Sequence, residues 1–124
     1  MLKILLIGCG GFAGAVSRFL FSKFANSFVE IFPIGTLGVN IIGSFLIGFI
    51  GFSLLFSQDV SPDVRDMITV GFIGGFTTMS SFAFETVKLT ELGHVPMAVL
   101  NITLNLVLCI GAILAGKALA LSIR

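Results

Sequence analysis

Polar side chains recur at four-residue steps inside two otherwise apolar stretches of the chain. They are Thr36, Asn40 and Ser44 in one stretch, and Asn101, Asn105 and Cys109 in the other. Residues four apart share one face of a helix, so each set predicts a polar face. Asparagine offers two N–H donors without a fixed charge, and such donors suit an anion that is partly dehydrated but must still leave. Hydrogen bonding between helices is the alternative use; two complete faces favour an ion path.

A second informative segment covers residues 71–85, with the sequence GFIGGFTTMSSFAFE. Adjacent glycines followed by two threonines form poor helix, so we expect a break at 74–78. A break inside a membrane frees backbone carbonyls that need partners. With no acidic residue close by, a monovalent cation such as Na⁺ fits better than a divalent ion. The alternative is a kinked helix whose threonine hydroxyls bond the freed carbonyls.

Other kinds of chemistry have little support. No nucleophile–base pair is visible, so we do not expect an enzyme. The formal net charge of +1 provides no basic stripe for nucleic acid. His94 stands alone, without the cluster of cysteines or carboxylates that would make it a metal ligand.

The elements that position these residues are predicted to be transmembrane helices. The chain has 124 residues, of which 56% are hydrophobic, with a mean hydropathy of +1.15. A soluble domain of this size cannot bury so much apolar surface. Four stretches are each long enough to span a bilayer, at about 2–24, 32–56, 64–92 and 96–121. We therefore predict an all-α membrane protein, a single domain over 1–124, with its third helix broken mid-membrane.

Glycines at four-residue spacing occur in the first and third spans. Gly10 with Gly14, and Gly71 with Gly75, form GxxxG patterns that let helix backbones approach closely in lipid. The spacing fits packing within one subunit and a dimer seam equally well.

The charges at the helix ends are nearly balanced. Lys3, Arg65, Lys117 and Arg124 fall on one side of the membrane, and Arg18, Lys23 and Lys88 fall on the other. Because lysine and arginine in short loops set orientation, this balance predicts insertion both ways round and an antiparallel homodimer. A single orientation fixed by the first helix or by a partner subunit is the alternative.

Three motifs in order resemble those of the Fluc (CrcB-type) fluoride channel family, over nearly the whole chain. They are GGFAGAVSR at 10–18, PIGTL at 33–37 continuing through Asn40 and Gly43, and GGFTTMSSF at 74–82 ending at Glu85. The resemblance implies antiparallel dimers with two fluoride pores. It also implies that the dimer exports fluoride through the inner membrane of a bacterial cell.

The resemblance also implies roles for individual residues. A non-transported Na⁺ at the dimer centre would be held by the backbone carbonyls of Gly74 and Thr77. The pore residues would be Asn40, Thr36, Met79, Ser80, Ser81, Phe82, Glu85, Asn105 and Cys109. Arg18 matches a structural arginine of the first helix.

The sequence departs from the family pattern at two of these positions. Met79 stands where phenylalanine is usual, and it lacks the positive ring edge that an anion could contact. Cys109 stands where serine is common, and a thiol is a weaker donor. A non-conducting partner subunit of a heterodimer is therefore a second hypothesis. A small multidrug antiporter is a third, disfavoured because the first helix carries no carboxylate and the chain has no Trp or Tyr.

Overall fold

The computed structural model describes residues 1–54 and 59–123, and every regular element within them is helical. In chain order these elements are α1 (Leu2–Asn26), α2 (Ile34–Leu54), α3 (Pro62–Asp66), a π-helical segment (Met67–Ile73), α4 (Gly74–Phe76), α5 (Met79–Glu91) and α6 (Val95–Ser122). Within the described ranges, α1, α2, α6 and the joined stretch Pro62–Glu91 are each long and apolar enough to cross a membrane. The four predicted spans are thus confirmed in number and order. The predicted end of the second span, Phe56, lies outside the described residues.

The exposed surface is apolar and the interior contains polar side chains. Phe12 and Phe84 are 74% and 70% exposed, whereas Asn101 is fully buried and Asn105 is 6% exposed. Water would favour the reverse distribution, but lipid accepts apolar side chains and requires polar groups to be paired inside the protein. The chain is a multi-pass membrane protein.

The third span, Pro62–Glu91, changes from α-helix to π-helix and back, and is then interrupted before α5. Ser61 caps its start by accepting the Val64 N–H at 3.4 Å. The π-helical segment follows α3, and the sequence reasoning did not predict it. After α4, two extended threonines interrupt the helix before α5 begins. The Thr77 hydroxyl also donates to the Ile73 carbonyl at 3.1 Å. A threonine hydroxyl thus bonds a carbonyl of the preceding turn, as in the kinked-helix alternative, in addition to the break.

Close glycine packing joins α1 to this span. A Cβ atom added at Gly75 would lie 2.7 Å from the Gly11 carbonyl oxygen, and one added at Gly71 would lie 2.7 Å from the Ile7 carbonyl oxygen. Both distances are shorter than van der Waals contact, so only glycine permits this approach of the two backbones. The GxxxG patterns therefore serve packing within the subunit. On the other side of the bundle, α2 packs along α6.

Short connections fix the order of the helices. The Gly35 N–H at the start of α2 donates to Asn26 Oδ1 at the end of α1, at 2.8 Å. Between α5 and α6 the chain reverses at Gly93, whose φ of 81° favours glycine. The His94 N–H then donates to the Leu89 carbonyl at 2.8 Å, which closes the turn.

Candidate functional site: the helix break and its cavities

The site is built around the interruption between α4 and α5. Thr77 and Thr78 both have extended backbones, with ψ of 157° and 117°. The Thr78 N–H donates to Asn40 Oδ1 at 2.8 Å, and Asn40 Nδ2 donates to the Thr78 carbonyl at 3.1 Å. One side chain of α2 therefore pairs with both backbone groups of Thr78. The break is narrower than the predicted 74–78, because Gly74–Phe76 are helical and only Thr77 and Thr78 are extended. Asn40 supplies the partner that an interrupted backbone needs in lipid.

The break leaves carbonyl oxygens at the end of α4 without helical partners. In a continuous helix the Gly74 carbonyl would accept the Thr78 N–H, but that group bonds Asn40 instead. The Thr77 carbonyl accepts a hydrogen bond from Arg18 Nη1 at 3.1 Å. Arg18 of α1 thus bonds the break at Thr77, next to the residue that Asn40 bonds.

A chain of asparagines extends from the break into α6. The second N–H of Asn40 donates to Asn105 Oδ1 at 3.0 Å. Asn105 Nδ2 donates to both the backbone carbonyl and Oδ1 of Asn101, at 2.9 and 3.0 Å. Asn101 Nδ2 donates to Thr86 Oγ1 of α5 at 3.0 Å. The network ties α2, α5 and α6 together and fixes the orientation of the Asn40 amide.

Hydroxyl groups continue the polar region on the other side of Thr78. The Thr78 hydroxyl caps α5 by accepting the Ser81 N–H at 3.1 Å, and it donates to the Ser81 hydroxyl at 3.1 Å. The Ser80 hydroxyl lies 3.3 Å from Thr78 Oγ1. Farther along, Thr36 donates to Glu85 Oε1 at 2.7 Å, while the buried Glu85 Oε2 has no hydrogen-bond partner in residues 1–54 and 59–123.

Three cavities border these groups, and neighbouring cavities share wall residues. The first, about 430 Å³, lies beside the break and includes Asn40, Met79, Phe82, Asn105 and Cys109 in its wall. The second, about 420 Å³, includes Arg18, Thr36, Ser81 and Glu85. Thr78 belongs to both walls. The third, about 310 Å³, shares Glu85 and Asn26 with the second and includes Lys88 and His94. Together they follow the subunit from the break to the α5–α6 turn.

The structure brings most of the predicted site residues to these cavities. Gly74 and Thr77 line the first cavity with Asn40 of α2 and with Asn105 and Cys109 of α6. Ser80 is exposed and contacts the Thr78 hydroxyl without lining these three cavities. Met79 is 72% exposed, whereas Phe82 is 8% exposed, so Phe82 packs within the subunit and Met79 projects from it.

The network of Thr78, Asn40, Asn105, Asn101 and Thr86 is called the hydrogen-bonded frame below. Two of its residues, Asn101 and Thr86, are absent from the predicted site. Asn101 was recognised only as part of the polar face of α6, and Thr86 was not singled out. Their link to the break is visible only once α5 and α6 pack together. The four-residue spacing of Asn101 and Asn105 pointed to Asn101, and no pattern in the sequence pointed to Thr86.

A family model described as "CrcB-like protein, Camphor Resistance (CrcB)" matches residues 5–117. The chain belongs to the CrcB family. It is 46% identical over 123 residues to "Fluoride-specific ion channel FluC" of Shewanella woodyi, covering 98% of each chain. It is also 43% identical over 118 residues to a protein of that name from Methanopyrus kandleri, covering 95% of this chain and 88% of the relative. The matched region contains the whole hydrogen-bonded frame and most of the cavity walls.

The chemistry of this CrcB-family site can be tested against the Na⁺ that the resemblance implies. Among residues 1–54 and 59–123 no group of three or more His, Cys, Asp or Glu side chains could hold a metal. The oxygen atoms available as ligands at the break are backbone carbonyls, which suit a hard monovalent ion. The Gly74 carbonyl lacks its helical partner, and the Thr77 carbonyl keeps a second lone pair beside its bond to Arg18. The donor set fits Na⁺.

Proposed function

We propose that the protein is a fluoride-specific ion channel that lets F⁻ leave the cytoplasm. The observation that carries the proposal is the series of cavities that meet at Thr78 and have uncharged hydrogen-bonding groups in their walls. Relatives that match 95–98% of this chain are named as fluoride-specific channels, which supports the same function here. Channels of this kind perform no covalent chemistry.

The distribution of charge along the cavities supports an anion as cargo. The second and third cavities have three basic side chains in their walls, Arg18, Lys23 and Lys88, and two carboxylates, Glu30 and Glu85, so positive charges are in excess. These charges would draw an anion in, because a partly desolvated cavity strengthens Coulomb attraction. Among the described residues, none that lines the first cavity is charged. Neutral walls would bind F⁻ weakly enough for it to move on.

The helix ends at the break carry partial charges, and these also support an anion as cargo. The carbonyl end of α4 carries partial negative charge, and the amino end of α5, at Met79, carries partial positive charge. Both ends border the first cavity. A cation at the Gly74 and Thr77 carbonyls and an anion beside α5 would each lie at the helix end that favours it.

We also propose that two chains pair antiparallel and hold one structural Na⁺ between them. The near balance of lysine and arginine across the four spans supports insertion in both orientations. The exposed Met79 and Ser80 next to the break offer an uncovered surface for a second copy. Na⁺ would satisfy the carbonyls of Gly74 and Thr77 without being transported. The inner membrane of a bacterial cell is the compartment proposed for such an exporter.

A second candidate function is a subunit that conducts only with a different partner chain. The exposure of Met79, at 72%, favours it, because the residue would contact that partner directly. A thioether offers no ring edge to an anion, so the partner would have to supply that group.

Efflux from liposomes that contain the purified protein alone tests these proposals. Release of F⁻ without Cl⁻, followed with ion-selective electrodes, is the expected result. A preparation that passes no F⁻ alone but becomes active when a second chain is added would support the partner-subunit hypothesis. Proton-driven movement of an organic cation would indicate an antiporter and not a channel. Replacing all Na⁺ by a large organic cation during purification should abolish fluoride flux if Na⁺ is structural. Full activity under those conditions would contradict the proposed Na⁺ site.

A further inference from the structure

The turn between α5 and α6 holds His94 in the wall of the third cavity. The His94 N–H donates to the Leu89 carbonyl at 2.8 Å, and the His94 carbonyl accepts the Ala98 N–H at 3.0 Å. These bonds fix its backbone to the end of α5 and the first turn of α6, so the half-buried imidazole is kept at the cavity. The ring forms no hydrogen bond within residues 1–54 and 59–123, which leaves its nitrogens available to a ligand.

The third cavity has a formal negative charge when His94 is neutral. Its described wall contains two carboxylates, Glu30 from the connection between α1 and α2 and Glu85 from α5, and one cation, Lys88 of α5. The other polar side chain of the wall is the uncharged amide of Asn26 from α1. With both carboxylates ionised, two negative charges face one positive charge. A proton on His94 would bring this balance to zero.

The neighbouring second cavity has the opposite balance. Arg18 and Lys23 of α1 contribute two positive charges to its wall, against the one carboxylate of Glu85 that it shares with the third cavity. An anion that enters at the α5–α6 turn meets the third cavity before it reaches these cations. Among the three cavities, the third is therefore the one whose charge opposes the entry of an anion.

We propose that His94 is an anion-capture residue at the outer end of the path, where its protonated imidazole offsets the negative charge that fluoride meets first. This inference rests on the proposed fluoride channel. Imidazole is the side chain that gains its charge between about pH 8 and about pH 5, and in the charged form both ring nitrogens are donors. Fluoride entry through the third cavity therefore becomes faster as the solution becomes acidic.

The size of the effect follows from Coulomb's law. A unit charge about 8 Å from an anion in water raises the local anion concentration about two- to threefold. Salt weakens this attraction, because the screening length falls from about 10 Å at 0.1 M to about 3 Å at 1 M. The contribution of His94 should accordingly disappear in concentrated salt. A histidine that only stabilised the turn would not give a salt-dependent difference of this kind.

Initial fluoride efflux from liposomes at about pH 8 and about pH 5, with the same buffer on both sides, tests the role of His94. The leak of protein-free liposomes is subtracted at each pH, because neutral hydrogen fluoride crosses lipid unaided. In about 0.1 M salt the parent should match His94→Gln at the higher pH and exceed it about two- to threefold at the lower pH. His94→Arg, charged at both pH values, should exceed the parent by about the same factor at the higher pH.

Glu91→Gln is the matched control for a general effect of surface charge. Glu91 lies three residues before His94 and is exposed, and it lines none of the three cavities. Its substitution adds the same unit of positive charge outside the cavity, where water and salt screen it, so the gain should be much smaller than for His94→Arg. Equal gains in the two variants would contradict a role for His94 inside the cavity.

The remaining outcomes separate this inference from the proposed function. If the parent conducts F⁻ but His94→Gln matches it at both pH values and His94→Arg gives no gain, the capture role is wrong and the channel remains. If the parent passes no fluoride at either pH, alone or with a second chain, both proposals fall. Should His94→Gln fail to assemble, the result for His94→Arg decides, since a gain of flux cannot come from misfolding.

Discussion

Replacing Asn40 by aspartate tests whether an anion passes beside the helix break. The aspartate keeps one oxygen for the Thr78 N–H, but its second oxygen takes the place of Nδ2. That oxygen would lie near two acceptors, the Thr78 carbonyl and Asn105 Oδ1, which are now 3.1 and 3.0 Å from Nδ2. Two hydrogen bonds are lost, each contributing about 1 kcal/mol.

The new charge has a larger effect on conduction than on the frame. A carboxylate about 4 Å from a passing anion repels it by about 4 kcal/mol at an effective dielectric constant of 20. That barrier corresponds to a roughly thousandfold lower flux, since each 1.4 kcal/mol is a factor of ten. Asn40→Ala loses the same donors without adding charge, so its flux should exceed that of Asn40→Asp.

The assay is initial fluoride efflux from liposomes at matched protein density, read with a fluoride electrode. Both variants must first elute at the position of the parent protein, because a buried charge also costs about 3 kcal/mol in a membrane helix. A flux for Asn40→Asp within a few fold of the parent would refute the placement of Asn40 beside the path. Equal loss in the aspartate and alanine variants would mean that the broken frame, and not the charge, stops conduction.

Two further predictions concern the packing that holds the break. Gly75→Ala places a Cβ atom 2.7 Å from the Gly11 carbonyl oxygen, so it should lower the melting temperature in detergent through about 1–3 kcal/mol of overpacking. Gly111→Ala is its control and should melt no lower than the parent, because a Cβ atom there would meet no heavy atom of the described residues within 4 Å outside the neighbouring backbone of its own helix. Equal behaviour of the two variants would contradict the close packing of α1. Arg18→Gln removes the charged donor to the Thr77 carbonyl and should cost about 1.5–3 kcal/mol. A melting temperature unchanged by that substitution would mean that the hydrogen bond is not maintained in the membrane protein.

Composition and the length of the apolar runs were enough to predict the membrane class and the four spans, and the glycine–threonine run was enough to predict an interruption close to Thr77 and Thr78. Long apolar runs have only one stable form in lipid, because an unpaired backbone group is costly there and a helix pairs its own. Adjacent glycines and threonines are poor helix formers, which predicts an interruption from local sequence, but Gly74–Phe76 are helical and only Thr77 and Thr78 are extended. Local rules did not predict the π-helical form of Met67–Ile73, which lies against α1.

The pairing of the polar groups depends on how the helices pack against one another. The four-residue spacing places Asn40 and Ser44 on one face of α2 but cannot tell that the Asn40 amide is fully hydrogen-bonded and the Ser44 hydroxyl is not. That distinction depends on the positions of Thr78 and Asn105, which belong to other helices. Hydrogen bonds reach only about 3 Å, so donor commitment is set by how helices pack and not by spacing along one of them.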